Sequence, residues 1–230
     1  MFIVRRRPTT LFNRPCFAQD GEDQVLTSLL FPSEEKGFYV DVGAHHPMRF
    51  SNTYLLYRKG WRGVNIDAAP GSMRLFRKYR PRDINIESGV GLVPGTIPFY
   101  VFSDPAVNSF DQELSKSRDA EGPHRIKEVV DVQVSPLSDL IRDHLPPPGM
   151  DYPSVLNVDV EGLDLEVLQS NDWTAFRPRY VLAETFNLTI DEAVECPVSV
   201  FMASVGYRYM AKTVNTSFYQ DSQASPPKPW

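Results

Sequence analysis

Cross-linking groups are scarce in this chain. Its two cysteines, Cys16 and Cys196, lie far apart among 230 residues and have no metal-ligand spacing. They read as free thiols of a reducing compartment, so a cytoplasmic location is expected. No run of about 18 apolar residues occurs, which leaves nothing long enough to span a membrane. The three arginines in Met1–Thr10 are not followed by an apolar segment, so the start does not read as a secretory signal. Basic residues are outnumbered, with 24 Lys and Arg against 29 Asp and Glu, and the formal charge of −5 argues against a general nucleic-acid binder. No internal repeat is visible.

What is present suffices for one ordinary domain: 42% of the residues are hydrophobic, enough for a sizeable core. The expected division is a basic arm over 1–15, a single domain over 16–220 and a proline-rich tail over 221–230.

The domain is organised around Gly37–Pro47, GFYVDVGAHHP. Phe38, Tyr39, Val40 and Val42 form a short apolar run that breaks at Gly43-Ala44, as a buried parallel strand does when it ends in a tight turn over a ligand. Asp41 sits inside that run, and a carboxylate there needs a partner to offset its desolvation. About 20 residues later Gly63–Asp67 repeats the theme, an apolar strand ending in an acid. Strand, small-residue turn, helix, strand, acid is the pattern of nucleoside-cofactor binding in doubly wound sheets, where the second acid accepts from ribose hydroxyls.

Apolar spacing predicts helices over Glu22–Phe31, stopped by Pro32, over Asn52–Lys59 with Ser51 as N-cap, from Pro70 to before Pro81, over Ser138–His144 and over Leu163–Ser170. Asp191–Val205 reads as helical in part, interrupted at Pro197. Further strands are predicted at Asp83–Ile86, Thr96–Phe102, Val129–Val134, Val155–Val160 and Tyr180–Glu184, with a closing hairpin of Tyr207–Lys212 and Thr216–Tyr219. Residues 103–128 read as a long polar loop with some helix, a length often used for lids. Pro146–Gly149 reads as a rigid linker. In the helix after Pro70, Met73, Phe76 and Tyr79 are expected to face inward, and Arg74, Arg77, Lys78, Arg80 and Arg82 to form a solvated basic face.

Four predicted strand ends carry acids: Asp41, Asp67, Asp159 and Glu184. In an open α/β sheet the ligand crevice lies beyond the carboxyl ends of the strands. Any one such acid also reads as a helix cap or a satisfied core group. Asp159 and Glu184 should end neighbouring strands, and carboxylates that close repel unless protonated or bridged by a hard divalent ion. Glu161 and Asp164 read equally as first-turn helix acids. Of the pair His45-His46, one is expected to contact cofactor or substrate. Asn108-Ser109 and Ser88-Gly89 are weaker signals, each readable as a turn.

Together, Gln19-Asp-Gly-Glu-Asp23, Tyr39-Val-Asp-Val-Gly-Ala44, Gly63-Val-Asn-Ile-Asp67 and Asn157-Val-Asp-Val-Glu-Gly162 resemble the FkbM-type methyltransferases, over about Phe17–Tyr219. The resemblance implies an α/β fold of the class I, Rossmann-like methyltransferase kind and S-adenosylmethionine as cofactor. It places Asp41, Gly43 and Ala44 on the methionine side of that cofactor, Asp67 on the ribose with Ala68 beside it, and Ser88-Gly89 near the adenine. Gln19 and Asp23 would close over the site. The turn departs from the glycine-rich class I form, because His45, His46 and Pro47 follow Gly43-Ala44.

The fold expected is a sandwich around a mostly parallel seven-stranded sheet with one antiparallel strand in the last hairpin. The extra strands at 96–102 and 129–134 would decorate its edge. The activity expected is O-methylation of a hydroxyl on a sugar, glycan or glycosylated natural product, a small-molecule or glycan acceptor. Asp159, Glu184 and Glu161 are the ligands expected for Mg²⁺ or Mn²⁺, and Asp159, Glu184 or His46 the acid–base groups. A nicotinamide-dependent oxidoreductase is the rival reading, disfavoured by the missing G-x-G-x-x-G. A non-catalytic binding domain of the same fold is the other, against which the retained strand-end acids argue.

Overall fold

The apolar runs pair as parallel strands, and the segments between them fold back as short helices. The structure, a computed structural model, describes residues 14–30, 36–146 and 154–224. Most of the expected arm and tail, the stop at Pro32 and the linker beyond Pro146 lie outside these residues.

In chain order the elements are α1 (Glu22–Leu30), β1 (Phe38–Val42), α2 (Tyr54–Arg58), β2 (Arg62–Asp67), α3 (Met73–Tyr79), β3 (Ile84–Glu87), β4 (Gly89–Val90) and β5 (Gly95–Phe102). Then follow α4 (Gln112–Glu121), β6 (Ile126–Ser135), α5 (Leu137–Ile141), β7 (Ser154–Val158), α6 (Asp164–Gln169), β8 (Tyr180–Glu184), α7 (Ile190–Glu195), α8 (Pro197–Ser204), β9 (Tyr207–Lys212) and β10 (Thr216–Asp221). A seven-stranded sheet has the order β3-β2-β1-β7-β8-β10-β9. It is parallel from β3 to β8, and β10 runs antiparallel to both its neighbours. No helix among the described residues is long and apolar enough to cross a membrane. Both cysteines are free.

Strand alternation divides the core. Val40, Val42, Val64, Ile66, Leu156 and Val158 pack on one face with Leu137, Val167, Leu168 and Met202. Tyr39, Val155, Tyr180, Leu182 and Phe218 pack on the other with Leu26, Leu56 and Trp61.

A polar row crosses the sheet in register. Asn85 pairs with Asn65, Asn65 with Asp41, and Asp41 with Asn157. Asp41 accepts from Asn157 at 2.9 Å and from Thr53 Oγ1 at 2.5 Å, and Asn157 in turn accepts from Asn52 at 2.9 Å. Arg80 closes the row from above. Its guanidinium donates to Pro47 O, Thr53 Oγ1, Asn65 Oδ1 and Ser51 Oγ, and lies 3.9 Å from Asp41. Burial pushes the Asp41 carboxyl up, and Arg80 and the two hydrogen bonds pull against it.

Three expectations are corrected here. Arg80 is 0% exposed rather than part of a solvated face, while Tyr79 points outward. The helix ends at Tyr79 and the chain turns inward, so helical spacing no longer applies at Arg80. Second, β5 and β6 do not extend the main sheet. They form a separate three-stranded sheet of order β4-β6-β5. Third, α2 begins at Tyr54, although Ser51 Oγ still accepts its N–H at 3.1 Å.

Candidate active site

The carboxyl ends of β1, β2, β3, β7 and β8 open into one cavity of about 850 Å³, roofed by β5 and by residues 105–124. That volume lies in the range of small-molecule sites.

At one end stands Asp67, closing β2. Its Oδ2 accepts from the His45 N–H at 2.8 Å and its Oδ1 from the Ala69 N–H at 2.9 Å. His45 reaches it because its backbone is left-handed, with φ 52°. Each carboxylate oxygen keeps a further lone pair. Burial raises the Asp67 pKa, and the two N–H donors pull it back.

Gly43 turns the chain at φ 76°. A Cβ there would lie 1.7 Å from Asp159 O, so a side chain is excluded by the backbone after β7. Asp159 N in turn donates to Val42 O at 3.0 Å. The turn after β1 and the loop after β7 therefore touch backbone to backbone.

The other end is acidic. Asp159 and Glu161 follow β7, and Glu184 closes β8. Ligand oxygens of the three lie within 4.8 Å of one another. Burial, then Glu161 and the other nearby acids, hold Asp159 well above the usual carboxylate range. Burial, then Asp159, pushes Glu184 up to about 10. Glu161 is also raised by burial, against the pull of Arg118. It is not a first-turn acid: α6 begins at Asp164, and Glu161 stands at φ 57° with Gly162 at φ 111° behind it. Asp164 does have the structural role, accepting the Glu184 N–H at 3.2 Å, and burial pushes it up to about 7.

The roof docks on this acidic end. Arg118 of α4 forms an ion pair with Glu161, and Ser109 Oγ donates to Glu161 O at 2.8 Å. Asn108 Oδ1 accepts the Phe102 N–H at 2.8 Å, which fixes the turn before α4.

Of the other sequence candidates, Gln19, Gly43, His46, Ala68, Ser88 and Gly89 line the cavity. Asp41, Ala44 and Asp23 are not among the lining residues. Asp41 faces the α2 side with Arg80, and Asp23 accepts from Phe17 N at 2.8 Å and from Cys16 Sγ within the N-terminal segment. His46 Nδ1 accepts from the Met48 and Arg49 N–H groups at 3.1 and 2.9 Å. In the neutral ring that leaves the proton on Nε2, so this nitrogen donates and cannot take a proton. Burial lowers the pKa of both His45 and His46.

Sequence reading missed Arg118 and Glu22. Arg118 lies in a polar helix without periodicity and carries no local signal. Glu22 stood inside the Gln19–Asp23 motif; it lines the cavity and pins the N-terminal segment by accepting from Thr213 Oγ1 at 2.5 Å.

The sequence matches the model of the methyltransferase FkbM domain over residues 41–209, most of its length. The chain belongs to the FkbM methyltransferase family. Among solved structures, this FkbM chain is similar to a methyltransferase FkbM from Methylobacillus flagellatus KT, with 16% identity and a TM-score of 0.51 over 84% of this chain and 45% of that one. It thus spans less than half of that relative. It is also similar, with 11% identity and a TM-score of 0.42, to a Precorrin-6y C5,15-methyltransferase from Geobacter metallireducens GS-15, over 88% of this chain and 89% of that one. No curated protein matches the sequence.

Proposed function

We propose that this FkbM-family chain is an S-adenosylmethionine-dependent O-methyltransferase acting on a hydroxyl of a sugar, glycan or glycosylated natural product, with help from a divalent cation. One observation carries the reading. The cavity that holds a strand-end acid suited to ribose at Asp67 also holds, at its other end, the three-carboxylate cluster of Asp159, Glu161 and Glu184.

S-adenosylmethionine supplies a methyl carbon already activated by a sulfonium, so the protein's task is alignment. Asp67 has lone pairs to accept from ribose hydroxyls. Gly43 keeps side-chain bulk away from the turn beside it, and Ser88 and Gly89 line the cavity past β3, where an adenine would lie. The cluster has only oxygen donors, which favour Mg²⁺ or Mn²⁺ over zinc. A cation held by Asp159, Glu161 and Glu184 would lower the pKa of a coordinated hydroxyl and orient it. Among the nearby groups a carboxylate of the same cluster would be the proton acceptor, because His46 Nδ1 already accepts from the Met48 and Arg49 N–H groups.

The test is methyl transfer in EDTA followed by Mg²⁺ or Mn²⁺ add-back. Activity is lost and then restored in the wild type, and Asp159→Asn abolishes the restoration. Full activity in EDTA would refute the cation and leave acid–base catalysis by the carboxylates.

A further inference from the structure

We infer that the side of the molecule formed by α2, the start of β2 and α3 is a docking face for an anionic lipid bilayer. The inference goes beyond the methyl-transfer reading and does not depend on it.

Charge segregation is the first support. Residues 44–86 hold nine Lys and Arg against two Asp, a formal charge of +7 within a chain of −5, so the remainder carries −12. Both acids are buried. Asp67 accepts the two N–H groups described above, and Asp83 accepts from Tyr39 Oη at 2.5 Å and from Gly63 N and Asn65 Nδ2 at 3.1 Å each. Arg80 is the one buried cation of the segment, and the other eight are exposed. They gather on one side. The Arg80 guanidinium lies 5.8 Å from the Tyr57 ring, which sets the end of α3 beside α2. Arg82 follows, donating to Tyr57 O at 2.6 Å with its guanidinium 4.1 Å over the same ring, and Arg62 Nη1 donates to Arg82 O at 3.4 Å. Arg58 is the residue after Tyr57. Along α3, Met73 and Phe76 are buried, and Arg74, Arg77 and Lys78 face out. Among the described residues no carboxylate forms an ion pair with Arg58, Arg62, Arg74, Arg77, Lys78 or Arg82.

The second support is apolar. Leu75 and Tyr79 stand one turn apart on α3, exposed among these cations. Phe50 is exposed beside Arg49, and both Phe50 and Leu75 line the cavity, so they belong to its rim. Cations interleaved with exposed apolar and aromatic side chains match the boundary of an anionic bilayer. The cations meet lipid phosphates there, and the apolar groups enter between headgroups. A single-stranded nucleic acid is matched less well, because it stacks its bases on ring faces. Lys78 lies 5.1 Å over the Tyr79 ring and Arg49 lies 4.0 Å over the Phe50 ring, so each ring has one face covered. A bilayer also touches one side only. The −12 carried elsewhere then faces water, where screening over about 8 Å weakens its repulsion, whereas a flexible polyanion would run over both signs. Docking by this face sets the rim at Phe50 and Leu75 at headgroup level.

The test is co-sedimentation of the full chain with vesicles of phosphatidylcholine alone and of phosphatidylcholine mixed with phosphatidylglycerol. At low salt the mixed vesicles bind about tenfold tighter or more, and about 0.5 M NaCl removes the difference. Reversing three charges together, Arg74→Glu, Arg77→Glu and Lys78→Glu, weakens binding to the mixed vesicles by about tenfold or more. The control reverses three exposed cations outside the face, Lys116→Glu, Lys127→Glu and Arg142→Glu. It changes the net charge equally and keeps binding within about threefold of wild type. Thermal melting checks that each variant folds, and the milder set Arg74→Gln, Arg77→Gln and Lys78→Gln reads the same loss where the reversal does not fold. No binding to the mixed vesicles, equal binding to both kinds, or equal loss in the two triple variants would overturn the inference. Tighter binding to a single-stranded RNA oligonucleotide than to the mixed vesicles would overturn it in favour of a nucleic-acid face.

Discussion

Replacing Arg80 with methionine separates a surface arginine from a structural one. Methionine keeps much of the apolar stem and deletes the guanidinium. Four hydrogen bonds of 2.5–2.9 Å lose their donor, and Asp41 loses the positive group 3.9 Å away. All of this lies out of water, with Arg80 and Asp41 both buried. Removing one partner of a buried pair costs about 3–5 kcal/mol, because the other is left uncompensated. For a chain of this size about 2–4 °C is lost per kcal/mol, so Tm should fall by roughly 6–20 °C. Arg77, in the last turn of α3, is exposed, and Arg77→Met should stay within about 0.5 kcal/mol of wild type. The assay is urea unfolding at pH 7 of both variants and of Arg80→Met combined with Asp41→Asn. The double variant should recover part of the loss, since it removes the stranded carboxylate. An Arg80→Met midpoint matching that of Arg77→Met would refute the buried network.

Further outcomes follow from the site. Asp67→Ala should weaken S-adenosylhomocysteine binding by about 1–3 kcal/mol, read by calorimetry, the cost of leaving ribose hydroxyls unpaired; an unchanged affinity in a folded variant would sink the ribose role. Gly43→Ala should be costlier than Gly21→Ala. Both positions are left-handed, at φ 76° and 91°, which costs about 1–3 kcal/mol, but only at Gly43 does a Cβ also overlap Asp159 O; equal urea midpoints would refute the contact. In EDTA, thermal stability should fall as pH rises from 5 to 8. Asp164, Asp159 and Glu184 all hold protons more tightly when folded, so their contribution is full below the ordinary carboxylate range and is lost as pH climbs through about 7 for Asp164 and about 10 for Glu184. A Tm rising over that interval would contradict the raised values, and Asp164→Asn should flatten the slope.

Much of the frame was legible because it is written locally. Buried parallel strands are short apolar runs, and β1, β2 and β8 stand within a residue of their expected bounds. Strand-end acids were legible for the same reason: the crevice side of a parallel sheet follows from strand direction alone. What failed was decided by side-chain direction or by distant partners. Asp41 lies one residue before Val42, and period-two alternation turns it to the opposite face, toward Arg80 and out of the cavity that Val42 lines. Arg80 fits a basic stripe by spacing, yet it stands just past the last helical turn. Glu161 resembles a helix-start acid, but it is itself left-handed, as is Gly162 after it, and it stands three residues before α6 begins at Asp164. The pairing of β4 with β6 joins residues 45 apart in sequence at Gly89 and Val134, and no local pattern announces it.

That pairing has an evolutionary consequence. Val90 and Ser135 are register partners on adjacent strands, so everything between them leaves the main fold and returns one strand spacing away, about 4.8 Å. A segment with neighbouring ends is a cassette: its length can change with little entropic penalty on the chain that carries it. This cassette contributes Val107, Leu114 and Arg118 but none of the strand-end acids. Exchange of residues 91–133 would thus rebuild the wall beside Asp159, Glu161 and Glu184 while Asp67 and the turn at Gly43 stay untouched.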